Sequence, residues 1–300
     1  MGLLRYFAIV GTLALVLMGG AAASQPYPAL RDRYDPLLQA QLESVLKRLK
    51  LAGAVDLRQL GLALVDITDL ERPRVAAVNG DEMFYAASLP KIAILLGAFV
   101  QIEQGKLALD DDTRDALTRM IRVSSNRDAT RMLHRVGKAN LAKLLQSERF
   151  RLYDPDANGG LWVGKDYGKA SAWKRDPLYN ISHGATAMQA ARFYYLLETN
   201  RLVSKPLTAQ MKSMLAEPAI KHKFVKGLQG RRDTKLYRKS GTWKRWHADS
   251  AIVEHRRSKY IIVGLAENPR GGDWLSRLIG PIDDIIGRSH QVAAAGEHAR

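Results

Sequence analysis

The chain has 300 residues, with 46 Lys and Arg against 30 Asp and Glu for a formal net charge of +16, 46% hydrophobic residues and no cysteine. A chain this apolar is no disordered polycation, and its length suffices for one large domain or two closely packed ones. The absence of cysteine excludes disulfides, a thiolate nucleophile, Cys-ligated zinc and iron–sulfur clusters.

Residues 1–24 place Arg5 ahead of the apolar run Phe7 to Met18, then Gly19-Gly20 and the small residues Ala21-Ala22-Ala23-Ser24. This pattern predicts a signal peptide cut before Ser24 or Gln25, the alternative being an uncleaved anchor. Without residues 1–24 the charge is one lower, +15. The expected location is therefore exported, periplasmic or extracellular, with no membrane span after cleavage. There a basic protein meets anionic envelope polymers rather than nucleic acid. Ten Lys and Arg against the single acid Asp233 lie between Lys221 and Arg245, reading either as a solvated cationic face or as a docking surface.

Asp35-Pro36 predicts a helix start, followed by the stripe Leu37, Leu38, Leu42, Val45, Leu46 and Leu49. Residues 61–67 and 74–78 read as an antiparallel strand pair. From Ser88 to Gly105 the chain is apolar on every face, which predicts a buried helix. Helical patterns follow at Thr113 to Val123, Arg127 to Val136 and near Thr186 to Glu198, around an irregular Gly-, Asp- and Trp-containing stretch from Asp154 to Asn180. Strand signals return at Lys235 to Lys239, Ser250 to His255 and Tyr260 to Ala266, the last two joined by a turn at Arg256-Arg257-Ser258. A final helix starts at Gly271-Gly272-Asp273 and carries Trp274, Leu275, Leu278, Ile279, Ile282, Ile285 and Ile286 on one face, with Pro281 bending it. Residues 289–300 read as an unstructured tail.

These elements predict an α/β (α+β) fold: a five-stranded antiparallel sheet flanked by N- and C-terminal helices, with an inserted all-helical subdomain. The sheet-containing part spans 25–105 and 227–288, and the helical subdomain 106–226. A cleft between them, where the buried helix begins, is the expected site.

At that helix start, Ser88-Leu89-Pro90-Lys91 sets a hydroxyl and an amine three residues apart, on one side of the first turn. A serine needs a proton acceptor to attack a carbonyl, and a desolvated lysine can supply one. Ser-x-x-Lys alone is weak, and Ser44 to Lys47 and Ser171 to Lys174 repeat it. Two further motifs give it weight. Ser124-Ser125-Asn126 lies between helices and offers a relay hydroxyl and an amide. Lys239-Ser240-Gly241-Thr242 ends a strand with a cation and hydroxyls suited to a carboxylate, and a glycine that lets a ligand approach. No His-Glu-x-x-His or Gly-x-Ser-x-Gly is present, so zincin and α/β-hydrolase signatures are missing.

With these three motifs in this order, the chain resembles the active-site serine penicillin-recognising superfamily, the class A β-lactamases and D-alanyl-D-alanine peptidases. The resemblance implies a β-lactamase-like fold and an acyl-enzyme hydrolase without cofactor. Ser88 would be the nucleophile, Lys91 its general base or proton shuttle and Ser124 the proton donor to the leaving nitrogen. Asn126 would bind the substrate amide, Lys239, Ser240 and Thr242 its carboxylate, and the Ser88 and Thr242 amides the oxyanion beside Gly241. The implied partner is a β-lactam or cell-wall peptide. Two departures stand out. The stretch from Ser88 to Ser124 is short, and the Glu-x-x-Leu-Asn loop of class A enzymes is missing, since no glutamate lies between Glu148 and Glu198. Asp154, Asp156, Asp166 and Asp176 in that region read as turn residues, which predicts acylation by β-lactams with poor turnover unless Lys91 or one of these aspartates deacylates. A D-alanyl-D-alanine peptidase and a non-catalytic envelope-binding protein are the rival readings. His183 and His247 read as structural, and Trp243 and Trp246 as packing residues.

Overall fold

The computed structural model describes residues 27–255 and 258–297, with side chains to Arg288. The predicted signal segment, residues 1–24, and the turn residues Arg256 and Arg257 lie outside the described residues. In chain order come α1 (Pro36–Arg48), α2 (Ala52–Asp56), β1 (Leu60–Asp66), β2 (Arg74–Val78), β3 (Phe84–Tyr85), α3 (Lys91–Glu103), α4 (Asp111–Arg122), α5 (Asn126–Val136) and α6 (Lys138–Gln146). Then follow β4 (Tyr153–Asp154), β5 (Gly159–Gly160), β6 (Trp162–Val163), β7 (His183–Ala185), α7 (Ala187–Glu198), α8 (Lys205–Leu215) and α9 (Phe224–Gly227). The chain closes with β8 (Thr234–Trp243), β9 (Trp246–His255), β10 (Ser258–Glu267) and α10 (Gly271–Glu297).

The main sheet is five-stranded and antiparallel, in the order β2-β1-β10-β9-β8. Both of its faces are covered, so β1 and the middle of β10 are apolar at nearly every position instead of alternating. On β1, Ala63 and Val65 point into the cluster containing α3 and α7, whereas Leu62 and Leu64 point into the cluster with α1 and α10.

Helix α1 starts where the Asp35 side chain accepts the Leu38 N–H at 2.7 Å, with Pro36 at the first helical position. Leu38, Leu42, Val45 and Leu46 are buried. Leu37 departs from the predicted stripe and is 62% exposed, because successive helical residues turn about 100° and Leu38 takes the core-facing position. In α10 all seven predicted apolar residues are buried, with Pro281 inside the helix. The helix continues through Glu297, correcting the unstructured tail predicted from residue 289. Ala293-Ala294-Ala295 are strong helix formers, and the segment contains no proline to stop it.

The irregular stretch is stitched to the site by short strands. β7 pairs with β3, the segment leading into Ser88, and with β6, while Ala86 N–H donates to His183 O at 2.9 Å. Asp176 staples the following loop: it accepts the Tyr153 hydroxyl at 2.8 Å and the amides of Leu178, Tyr179 and Ile181. A carboxylate holding four donors in an otherwise featureless loop fixes that loop as firmly as a strand would.

Candidate active site

Ser88 sits in a tight turn ahead of α3, not inside the helix. The bonds Lys91 N–H to Ser88 O, Ile92 N–H to Leu89 O and Ala93 N–H to Pro90 O reach back three residues each, and the α-helix starts at Lys91 with Pro90 capping it. Ala87, just before the serine, has φ 50°, a left-handed conformation unfavourable for a residue with a Cβ.

Lys91 is buried among the apolar residues of α3, and its Nζ reaches the joint between α4 and α5. There it donates to Ser124 O at 2.6 Å, Asn126 Oδ1 at 2.8 Å and Ser124 Oγ at 3.3 Å. Ser124 has φ 59°, again left-handed, and this conformation holds a joint of only three residues between the two helices. Burial lowers the Lys91 pKa to about 7, so a large share of the amine is unprotonated at neutral pH.

Lys239 and Gly241 lie on β8. Lys239 Nζ donates to Ser124 Oγ at 3.0 Å and to Ser240 O at 2.7 Å, and burial together with the charge of Lys91 pushes its pKa down. Gly241 permits β8 to lie against the nucleophile turn. A Cβ there would stand 2.3 Å from Ala86 O and 2.7 Å from Ser88 N, distances no side chain tolerates. The Ser88 N–H has no hydrogen-bond partner among the described residues. Behind β8, Arg238 grips Asp249 with bonds of 2.7 and 2.8 Å. Lys223, lowered by burial to about 8, donates to Gly241 O at 2.6 Å, Thr242 Oγ1 at 2.8 Å and Ala248 O at 3.0 Å. The basic stretch 221–245 is therefore not one solvated face. Lys223, Arg238 and Lys239 are buried within the structure.

A cavity of about 770 Å³ opens over this centre. Ser88, Asn126 and Thr242 line it, along with Tyr85, Lys165, Tyr167, Lys169, Arg175, His183, Trp243 and Trp246. Trp243 and Trp246, read from sequence as packing residues, are thus cavity walls. His183 also lines it, stacked on Tyr167 with ring centroids 4.3 Å apart, while His247 packs against Gly271 and Gly272 away from it. Burial holds His183 neutral, with a pKa near 3. The Tyr167 ring lies 4.6 Å from Lys91 Nζ, and its buried hydroxyl has no partner among the described residues. Sequence reasoning missed Tyr167, Lys165, Lys169, Arg175 and Lys223. The first four belong to a stretch without periodicity, and the lysine of the last looked like surface charge.

Among the described residues no Asp or Glu lines the cavity. Asp166 pairs with Lys138 at 2.7 Å and His134 at 3.0 Å, Asp154 with Arg151 at 2.9 Å, and Asp176 is the loop staple, while the exposed Asp156 lies 3.7 Å from Arg151. Among the described residues no cluster could hold a metal ion, and no helix is long and apolar enough to cross a membrane.

The family model described as "Beta-lactamase enzyme family" matches residues 42–113 and 112–288. The chain belongs to that family. As a member of it, the chain is a serine β-lactamase-like hydrolase, related to the class A enzymes of the penicillin-recognising superfamily. No curated protein matches it in sequence. Among solved structures, PBP-A shares 16% identity, covering 84% of this chain and 97% of its own at a TM-score of 0.62. A leucine-to-glutamate mutant of PBP-A, in an acyl-enzyme complex with penicillin G, matches at 16% identity, with 84% and 98% covered and a TM-score of 0.60. The β-lactamase from Sphaerobacter thermophilus matches at 15% identity, with 81% and 95% covered and a TM-score of 0.64. This likeness is one of fold, and the antiparallel sheet and helical layers of this β-lactamase-family chain agree with it.

Proposed function

We propose that this β-lactamase-family chain is an exported serine hydrolase that is acylated at Ser88 by β-lactams and by peptide amides bearing a terminal carboxylate, and that releases the acyl group slowly. The observation that carries the reading is the pair of amines, Lys91 and Lys239, converging on Ser124 Oγ beside an open cavity lined by Ser88.

In the proposed reaction, neutral Lys91 accepts the Ser88 Oγ proton as Oγ bonds to the substrate carbonyl carbon. Negative charge on the carbonyl oxygen is met by the Ser88 and Thr242 amides. The carbon–nitrogen bond then breaks, the leaving nitrogen takes a proton through Ser124, and an ester on Ser88 remains. Asn126 holds the amide of the acyl side chain, and Ser240, Thr242 and Lys239 hold the substrate carboxylate. Water must attack that ester to finish the cycle, and the lining residues include no carboxylate to activate it. The four aspartates of the region are directed elsewhere, which supports slow release.

Intact-mass measurement with benzylpenicillin tests this reading. The wild type should gain one penicilloyl mass that persists, and Ser88→Ala should gain none. Rapid drug loss without an adduct would overturn the slow release, and neither adduct nor loss would overturn acylation. A purely adhesive role gives no reason for a buried amine whose pKa is brought to about 7. Export rests on the N-terminal pattern, and sequencing the N-terminus of the protein recovered from the envelope fraction tests it.

A further inference from the structure

The segment after β6 reads Lys165-Asp166-Tyr167-Gly168-Lys169, and further on Arg175-Asp176. Each neighbouring carboxylate is turned away from the cavity. Asp166 faces Lys138 and His134, and Asp176 faces Tyr153 and its own loop amides. Lys165, Lys169 and Arg175 line the cavity and form no ion pair among the described residues, and the Arg175 guanidinium donates only to Asn180 O at 3.2 Å. His183, which shares the cavity lining with Lys165, is held neutral by burial first and by the charges of Lys165 and Lys91 second. Within the centre itself Asp249 balances Arg238, and burial favours the neutral amines of Lys91 and Lys239. Lys165, Lys169 and Arg175 on the cavity lining therefore remain as positive charge with no carboxylate partner among the described residues, more than one substrate carboxylate can balance. The surplus lies on the wall that also holds Tyr167, beside Lys91 and Asn126, where the acyl side chain would lie.

We propose that Lys165, Lys169 and Arg175 form a second anion subsite, and that the substrates of this chain are dianionic, with one carboxylate at Thr242 and Lys239 and another on the acyl side chain. The aromatic walls Tyr85, Trp243 and Trp246 leave room for an apolar or aromatic body between the two charges. The inference rests on Ser88 being the acylated residue for its kinetic test only, and a binding measurement covers it independently. The matching substrate class is a peptide with a free C-terminal carboxylate and a second carboxylate on the residue that precedes the one donating the acyl group.

Benzylpenicillin and α-carboxybenzylpenicillin differ by one carboxylate on the acyl side chain and provide the probe. The ratio of their second-order acylation constants in the wild type should favour the dianion by about tenfold at low salt, and should shrink as salt is raised. In the triple variant Lys165→Gln/Lys169→Gln/Arg175→Gln the ratio should fall to about one. A control that removes the same charge from α1 and its end, Lys47→Gln/Arg48→Gln/Lys50→Gln, should keep the wild-type ratio. A wild-type ratio near one, or an equal loss in both triple variants, would overturn the subsite. Tryptophan fluorescence titration of Ser88→Ala with the same two compounds reads binding without acylation. If neither compound acylates the wild type but the dianion still binds about tenfold tighter through the three cations, the subsite stands and the proposed reaction falls. If titration shows no preference, the subsite falls whatever the kinetics.

Discussion

Lys239 Nζ donates to Ser124 Oγ at 3.0 Å although the two residues lie 115 positions apart. That bond joins the sheet to the α4–α5 joint, and the same hydroxyl lies 3.3 Å from Lys91 Nζ. A hydroxyl within hydrogen-bond reach of two amines, one of them largely unprotonated, is placed to pass a proton. Ser124→Ala should lower the rate of Ser88 acylation by about a hundredfold with the fold intact, since relay groups of this kind contribute about 10²–10⁴. Stopped-flow acylation alongside circular dichroism checks it, and an unchanged rate would remove Ser124 from the proton path.

The Lys91 pKa of about 7 sets the pH dependence. Only the neutral amine accepts a proton, so acylation should rise about tenfold per pH unit below 7 and level off above it. Lys91→Arg keeps the positive charge, whose pKa is far above the working range, and should lose both the rate and the ascending limb. A profile without an inflection between pH 6 and 8 in the wild type would contradict the assignment of Lys91 as base.

Tyr167 occupies the space beside Lys91 where a hydrolytic carboxylate would be useful, and its hydroxyl has no hydrogen-bond partner among the described residues. Tyr167→Glu should shorten the lifetime of the penicilloyl adduct about tenfold or more, because a positioned general base contributes about 10²–10⁴ when well aligned. Intact mass followed over time reads the lifetime. An adduct as durable as that of the wild type would show that the missing base is not what limits release.

Arg238 and Asp249 are both buried and bonded through two parallel contacts. Asp249→Ala leaves a buried guanidinium uncompensated and should cost about 3–5 kcal/mol of stability. Chemical denaturation measures it. A loss under about 1 kcal/mol would mean that Ile220 O and His222, the other acceptors of Arg238, suffice to hold the charge.

The parts legible in the sequence were those governed by local periodicity or by short motifs. The strands around Ala63 and Ile262, the buried stripe of α1 and the motifs at Ser88, Ser124 and Lys239 all have their signal within a few residues. The wall containing Lys165, Tyr167 and Arg175 has none, because its position depends on Asp176 binding amides and a distant tyrosine. A buried lysine such as Lys223 reads like a surface one until the carbonyls around it are known. Leu37 and the end of α10 were misjudged for a simpler reason: a stripe tolerates one extra leucine at its edge, and an alanine run outweighs the glycines around it.

The pairing of β1 with β10 has a consequence for how the molecule is made. The two strands join residues 60–66 to 260–266, so the middle of the sheet closes only when nearly the whole chain has been synthesised. A nascent chain ending before Ser258 holds two separate hairpin edges and no central strand between them, and neither half can cover its apolar surface alone. Contacts this distant in sequence make folding slow, and they leave the sheet open at its centre until β10 is available to join the two hairpins.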